Sequence, residues 1–274
     1  MQEQLSDGPD APDSSSAAPA TAVVPAPTPD DASPRRRRRS RRTDWRLGGT
    51  AVRRWDGIVL AIALMGVGVG VFASTLISAT WQSPWSGLVS QIVLWVGMIF
   101  PIAYAFRRGR PAGLLAFRPV DVLYAVTLGV FLRILQGWIT DAGSQPIPSI
   151  ATLDGSLSPT WLLTDAVPAG LIAPTVEEFF FRSVILVAVY SMLRRPAGSF
   201  AAGLAAVLVS TATFVLLHGV DGSLPLTEAL PLGAVGLTCA LLVMLTGRIW
   251  GAVLVHVVYN ATMLALVAAG TLLR

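Results

Sequence analysis

The stretch that decides the fold class is GIVLAIALMGVGVGVFASTLISA, at residues 57–79. It contains no charged side chain, and it is longer than the about 20 apolar residues that an α-helix needs to cross a hydrocarbon core. The whole chain has the same character, since 53% of its 274 residues are hydrophobic and only 13% are charged, against about 25% in soluble domains. The sequence therefore predicts an integral membrane protein.

Further apolar runs follow the first one along the chain. They predict spans at residues 85–106, 120–140, 161–193, 200–218, 228–245 and 249–273. The run at 161–193 is too long for one untilted span and contains Pro168 and Pro174, so it can divide into an interfacial helix and a spanning helix. We therefore expect an all-α fold, a polytopic transmembrane helical bundle of seven or eight helices.

The chain before the first span has a different composition. Residues 1–34 are rich in Pro, Ala, Ser and Asp without an apolar period, which is typical of a disordered segment. An arginine-rich cluster follows, and it comprises Arg35–Arg39, Arg41, Arg42, Arg46, Arg53 and Arg54. Because this cluster directly precedes an apolar span, it favours a cytoplasmic topology anchor over a nucleic-acid-binding patch. We expect a disordered tail at residues 1–44, a membrane domain at residues 45–274, and no nucleic-acid partner.

The arginines between the spans indicate the orientation. With seven spans and a cytoplasmic amino terminus, the connections that carry arginine all fall on the cytoplasmic side, as the positive-inside rule requires. These arginines are Arg107, Arg108, Arg110, Arg118, Arg194, Arg195 and Arg248. The opposite connections carry no arginine, and their charged residues are Asp141, Asp154, Asp221 and Glu228. The expected localisation is a bacterial cell membrane, with several passes and a cytoplasmic amino terminus.

Ionisable side chains within spans are the first candidates for chemistry, because they are costly in lipid and usually face a cavity or one another. Glu178 and Arg182 are four residues apart on one helical face and can form an ion pair. Glu177 is rotated by about 100° from Glu178, which leaves it available as a general base. His256 and Asn260 are also four apart, so an imidazole and an amide project from the same face and can stabilise an oxyanion.

Three short motifs carry a family resemblance. Residues 177–182 read EEFFFR, residues 214–218 read FVLLH, and residues 256–260 read HVVYN. Their order, their spacing and their placement on hydrophobic helices resemble the CPBP family, which comprises CAAX proteases and bacteriocin-processing enzymes. The resemblance covers about residues 120–274. It implies an intramembrane endopeptidase, similar to type II CAAX prenyl endopeptidases, that hydrolyses a peptide bond of a membrane-associated or lipidated peptide or protein.

The resemblance also implies roles for the motif residues. Glu177 would activate a water molecule with help from His218, while His256 and Asn260 would hold the oxyanion of the tetrahedral intermediate. Zinc is an alternative cofactor, because Glu177, His218 and His256 are ligand types that zinc accepts in other hydrolases. A metal-free mechanism explains the same residues, and we favour a site that requires no cofactor. The remaining motif residues, Glu178 and Arg182, are implied to support the site.

Two other functions share part of this pattern. A non-catalytic CPBP-like membrane scaffold or immunity protein would keep the fold without turnover. A proton-coupled transporter also places Glu, Arg and His within spans, but usually with an internal duplication and paired broken helices, and neither is visible here. One feature does not fit a shared site for the two histidines smoothly, and helix tilt, a late start of the last helix or a cytoplasmic start of the helix that carries His218 could reconcile it. His218 lies 18 residues after Phe200, where its span begins, whereas His256 lies 8 residues after Arg248, so counting places the two histidines at different depths.

Overall fold

The computed structural model describes residues 43–150, 157, 159–220, 222 and 224–273. Most of residues 1–44, the predicted tail, therefore lie outside the described residues, as do Asp154 and Asp221. Within the described part, six helices are long and apolar enough to span a membrane, and no strand occurs. They are α1 (Gly57–Thr80), α2 (Ser86–Arg108), α3 (Val120–Ile139), α4 (Leu162–His218), α5 (Leu226–Thr246) and α6 (Trp250–Leu272). The predicted fold class is confirmed.

Helix α4 contains two crossings rather than one. Its 57 residues would extend about 85 Å as a straight helix, against a hydrocarbon core of about 30 Å. The chain breaks at Gly198, whose φ of 79° and ψ of 168° lie in a region that favours glycine. Beyond the break the helix folds back onto its first part. This arrangement is seen in the hydrogen bond that the Ser210 hydroxyl donates to the Phe181 carbonyl at 3.0 Å. Residues 162–197 (α4a) and 199–218 (α4b) are thus antiparallel neighbours, which gives seven crossings.

Glycines allow the close packing of α1 against α2. A Cβ atom added at Gly97 would lie 2.6 Å from the Gly66 carbonyl oxygen and 2.9 Å from the Gly70 Cα atom. Both distances are too short for any real side chain, so the two backbones touch directly. Small residues are the usual means by which membrane helices approach each other without a hydrophobic driving force.

The segment before α1 packs into the arginine-rich end of the bundle, which we call the basic end. The indole of Trp45 is fully buried and donates to the Gly247 carbonyl at 2.9 Å. Arg46 donates to the carbonyls of Met244 and Leu245, the last turn of α5, where carbonyls lack partners within the helix. Burial raises the pKa of Asp44, but the hydrogen bonds and charge of Arg46 outweigh that effect and hold this pKa below its usual value.

Ion pairs join the connections at the same end. Arg108 contacts Asp56 at 3.2 Å and thereby joins the end of α2 to the start of α1. Arg248, between α5 and α6, contacts Asp121 at the start of α3 at 2.7 Å, and the Asp121 side chain is fully buried. The hydrogen bonds that Arg248 donates to Asp121 raise the pKa of Arg248 above its usual value, so this arginine stays charged. These contacts fix where α3, α5 and α6 enter the bundle.

Candidate active site

Helix α4a departs from regular α-helical geometry on both sides of the two glutamates. It is π-helical at Leu162–Ala166 and Pro168–Ile172, α-helical at Ala173–Glu178, and π-helical again at Phe179–Ile185. Prolines at 168 and 174 contribute to this irregularity, because proline has no N–H group to donate to the preceding turn. Single π-helical turns occur frequently at functional sites. The two glutamates therefore lie on one regular turn between two widened ones.

Glu178 and Arg182 form an ion pair at the centre of the bundle. Both side chains are fully buried, and the Arg182 Nε atom lies 3.2 Å from the Glu178 Oε2 atom, in a direction that gives an ionic contact rather than a hydrogen bond. Arg182 Nη2 donates to the Gly236 carbonyl at 3.2 Å, and the guanidinium lies 4.5 Å from the centroid of the Phe214 ring. The cation thus has one carboxylate partner within the described part of the chain.

The His256 imidazole lies between the two glutamates. Its Nδ1 atom is 3.0 Å from Glu178 Oε1, at hydrogen-bonding distance, and its Nε2 atom is 3.9 Å from Glu177 Oε2. The histidine is 3% exposed, whereas the Glu177 side chain is 16% exposed. A Glu178 carboxylate that accepts from Nδ1–H fixes the ring orientation and turns Nε2 toward Glu177. The 3.9 Å between Nε2 and the Glu177 carboxylate exceeds the length of a direct hydrogen bond.

Asn260 reaches the irregular part of α4a. Its Nδ2 atom donates to the Ala169 carbonyl at 2.9 Å, within the π-helical stretch Pro168–Ile172. An amide nitrogen carries two N–H groups, so one donor remains beyond this bond. His256 and Asn260 therefore face the same helix, as their spacing predicts, but they contact it at different turns.

His218 lies at the margin of this group. It is exposed at the end of α4b, and its Nδ1 atom is 2.9 Å from the Phe214 carbonyl oxygen rather than paired with Glu177. The Phe214 ring lies 4.5 Å from the His218 ring and 5.7 Å from the His256 ring. Phe214 is thus level with His256, and His218 follows one helical turn later. The two histidines therefore lie at different depths along the bundle, as counting along the sequence predicts.

The zinc alternative requires Glu177, His218 and His256 to converge. Within the described residues, no group of three His, Cys, Asp or Glu side chains is arranged to hold a metal ion. The Phe214 ring packs against the rings of both histidines. The described geometry therefore does not assemble the ligand set that the zinc alternative needs.

Arg133 on α3 is a further candidate that the three motifs do not include. Its Nη2 atom donates to the Tyr259 carbonyl at 2.6 Å, and its guanidinium lies 4.0 Å from the centroid of the Tyr259 ring. The Tyr259 hydroxyl and Arg133 both donate to the Gln136 side-chain oxygen. The signal in the sequence was a lone arginine in an apolar run. The network braces α6 at the residue that precedes Asn260.

Comparison with known proteins supports the motif assignment. Residues 159–262 match the family model described as Type II CAAX prenyl endopeptidase Rce1-like. Comparisons with curated proteins and with solved structures found no match. The matched region is narrower than the predicted 120–274, and it contains α4, α5, the first half of α6 and all three motifs. The predicted resemblance is thus confirmed for this region: residues 159–262 are similar to Rce1-like type II CAAX prenyl endopeptidases.

Proposed function

We propose that this protein is an intramembrane endopeptidase that hydrolyses a peptide bond of a membrane-associated or lipidated peptide or protein, with a water activated by Glu177. The observation that carries the proposal is the His256 imidazole held between a buried Glu178 and a partly exposed Glu177. Glu178 already balances Arg182 and His256, so Glu177 is the carboxylate with capacity to accept a proton. The family match supports the same reaction class.

The reaction follows from these positions. Glu177 takes a proton from water, and the hydroxide attacks the carbonyl carbon of the scissile peptide bond. The developing oxyanion is stabilised by N–H donors, for which His256 Nε2, when protonated, and the second N–H group of Asn260 are available. The proton on Glu177 then passes to the leaving amine as the C–N bond breaks. The Glu177 Oε2 and His256 Nε2 atoms are 3.9 Å apart, so the proposed base and the proposed oxyanion donor lie side by side.

His218 would assist Glu177 only in an arrangement that brings the end of α4b closer to α4a. Its ring is exposed, and its hydrogen bond to the Phe214 carbonyl stays within its own helix. In that arrangement His218 keeps the proposed role of assisting Glu177, and zinc is not part of the proposed function. The protein would lie in a bacterial cell membrane with the basic end in the cytoplasm, and its partners would be the lipid bilayer and a peptide or membrane-protein substrate.

The proposed function is tested by cleavage of a membrane-displayed peptide library by the purified protein in lipid. Wild type is compared with Glu177→Gln and with Glu228→Gln, a control at an exposed glutamate in the first turn of α5. We expect wild type and the control to cleave equally, with or without a chelator, and the Glu177 variant to be inactive. Retained cleavage by Glu177→Gln would exclude the mechanism. Absence of cleavage by wild type across the library would favour a non-catalytic membrane scaffold.

A further inference from the structure

A second polar region lies at the end of the bundle opposite the basic end. A cavity of about 690 Å³ is bounded there by the end of α1, the start of α2 and the start of α4. The side chains that matter for its chemistry are Ser74, Thr75, Ser78, Ser90, Gln91 and Asp165. None of the three motifs contributes to this described lining, so the cavity is separate from the candidate active site.

The polar residues of α1 are concentrated on this cavity. Helix α1 has four hydroxyl side chains, and three of them, Ser74, Thr75 and Ser78, line the cavity. Ser78 and Ser90 meet across α1 and α2, with their hydroxyl oxygens 2.8 Å apart. Polar side chains within membrane helices usually face a water-filled cavity or another polar group. The cavity thus has a lining that can form hydrogen bonds, and it is not a defect in apolar packing.

The charge of the lining indicates the ligand class. Asp165 is the only ionisable side chain within the described lining, and one of its carboxylate oxygens accepts from the Thr164 hydroxyl at 2.6 Å. Asp165 is exposed, and the other polar side chains of this lining are hydroxyl and amide groups. A carboxylate in such a lining suits a cation that can also donate hydrogen bonds. An ammonium or guanidinium group has both properties.

The cavity and the candidate active site share one helix. Asp165 and Glu177 are 12 residues apart on α4a, which corresponds to at most about 18 Å along the helix axis. An extended peptide advances about 3.3 Å per residue, so five or six residues cover this distance. We propose, on the basis of the proposed function, that the cavity is a substrate subsite that binds a lysine or arginine side chain about five residues from the scissile bond.

The subsite is tested by equilibrium binding to the full chain in lipid nanodiscs, with fluorescein-labelled apolar decapeptides as probes. Each peptide carries one lysine at a scanned position, or norleucine, which lacks the ammonium group, at the same position. For the best position we expect wild type to bind the lysine peptide about tenfold more tightly. Asp165→Asn should remove this preference. Asp141→Asn, a control at an exposed aspartate with φ of 50°, a conformation that asparagine tolerates, should keep it.

A second pair of variants tests the cavity without changing charge. Gly87 lines the cavity, and a Cβ atom there meets nothing within 4 Å, so Gly87→Leu fills the space without a clash. Gly68→Leu is the control, because Gly68 is exposed on α1 and equally unobstructed. Only the Gly87 variant should weaken binding of the lysine peptide. Equal affinity of wild type for both peptides at every position, or a preference that survives Asp165→Asn, would overturn the subsite. Because binding is read without turnover, a failure of the proposed hydrolysis is a separate result.

Discussion

Replacement of Glu178 by glutamine separates the structural glutamate from the proposed catalytic one. Glu178 is fully buried, contacts Arg182 at 3.2 Å and lies 3.0 Å from His256 Nδ1. Glutamine keeps the shape and an oxygen for His256, but it removes the negative charge. Arg182 would then be a buried cation without a carboxylate partner in the described part of the chain, and it would keep its hydrogen bond to the Gly236 carbonyl.

The size of the effect follows from burial. Removal of one partner from a fully buried ion pair typically costs about 3–5 kcal/mol, because the remaining charge is left uncompensated. We expect a loss in this range in the free energy of unfolding for Glu178→Gln. Glu177 is 16% exposed and 3.9 Å from His256, so Glu177→Gln should cost less than about 1 kcal/mol. The losses in the free energy of unfolding for Glu178→Gln and Glu177→Gln should therefore differ by about 2–5 kcal/mol.

The assay is reversible unfolding in lipid bicelles, with the double variant Glu178→Gln, Arg182→Met included. Removal of both charges leaves no unpaired ion, so the double variant should recover much of the stability lost by Glu178→Gln alone. The coupling energy between the two sites should exceed about 2 kcal/mol. A Glu178→Gln variant within 1 kcal/mol of wild type, or a coupling energy near zero, would refute the argument that this carboxylate compensates Arg182.

Three further variants test other parts of the molecule. Gly97→Ala should destabilise the bundle by about 1–3 kcal/mol because its Cβ overlaps the α1 backbone, while Gly68→Ala should be neutral or slightly stabilising, as measured by unfolding in bicelles. Asp121→Asn should cost about 3–5 kcal/mol in the same assay, because Arg248 loses its partner; unchanged stability would show that the pair is dispensable. Arg133→Gln should lower kcat for peptide cleavage at least tenfold with a smaller change in KM, and recovery by Arg133→Lys would argue against a requirement for its planar, multidentate contacts with α6.

The helices could be predicted from sequence because lipid imposes a simple rule on the backbone. Every polar backbone group in the hydrocarbon must be bonded within the segment, so apolar runs become helices over nearly their whole length. The run at 57–79 is observed as Gly57–Thr80, and the run at 120–140 as Val120–Ile139. The burial of Trp45 could not be predicted, since it depends on a hydrogen bond to Gly247, 202 residues away.

The candidate site also has some contacts that sequence spacing predicts and others that depend on how the helices pack. The contact of Glu178 with Arg182 follows from helical spacing and could be expected from sequence. The bond between Glu178 and His256 joins residues 78 apart, and it depends on how α4a packs against α6. Helical spacing alone predicted only that His256 and Asn260 share one face of their helix. The position of His218 depends on the length of α4b beyond Phe214, which no local pattern specifies.

The two glutamates differ in their surroundings because they are adjacent. Consecutive residues of an α-helix point about 100° apart, so only one of two neighbouring carboxylates can face Arg182. The other must face elsewhere, and on this helix it faces the imidazole that its neighbour already holds. A single histidine is thereby positioned by one carboxylate and presented to a second. Two carboxylates in different environments are the usual basis for dividing structural and proton-transfer roles. The proposed division therefore rests on the contacts of two adjacent glutamates with Arg182 and His256.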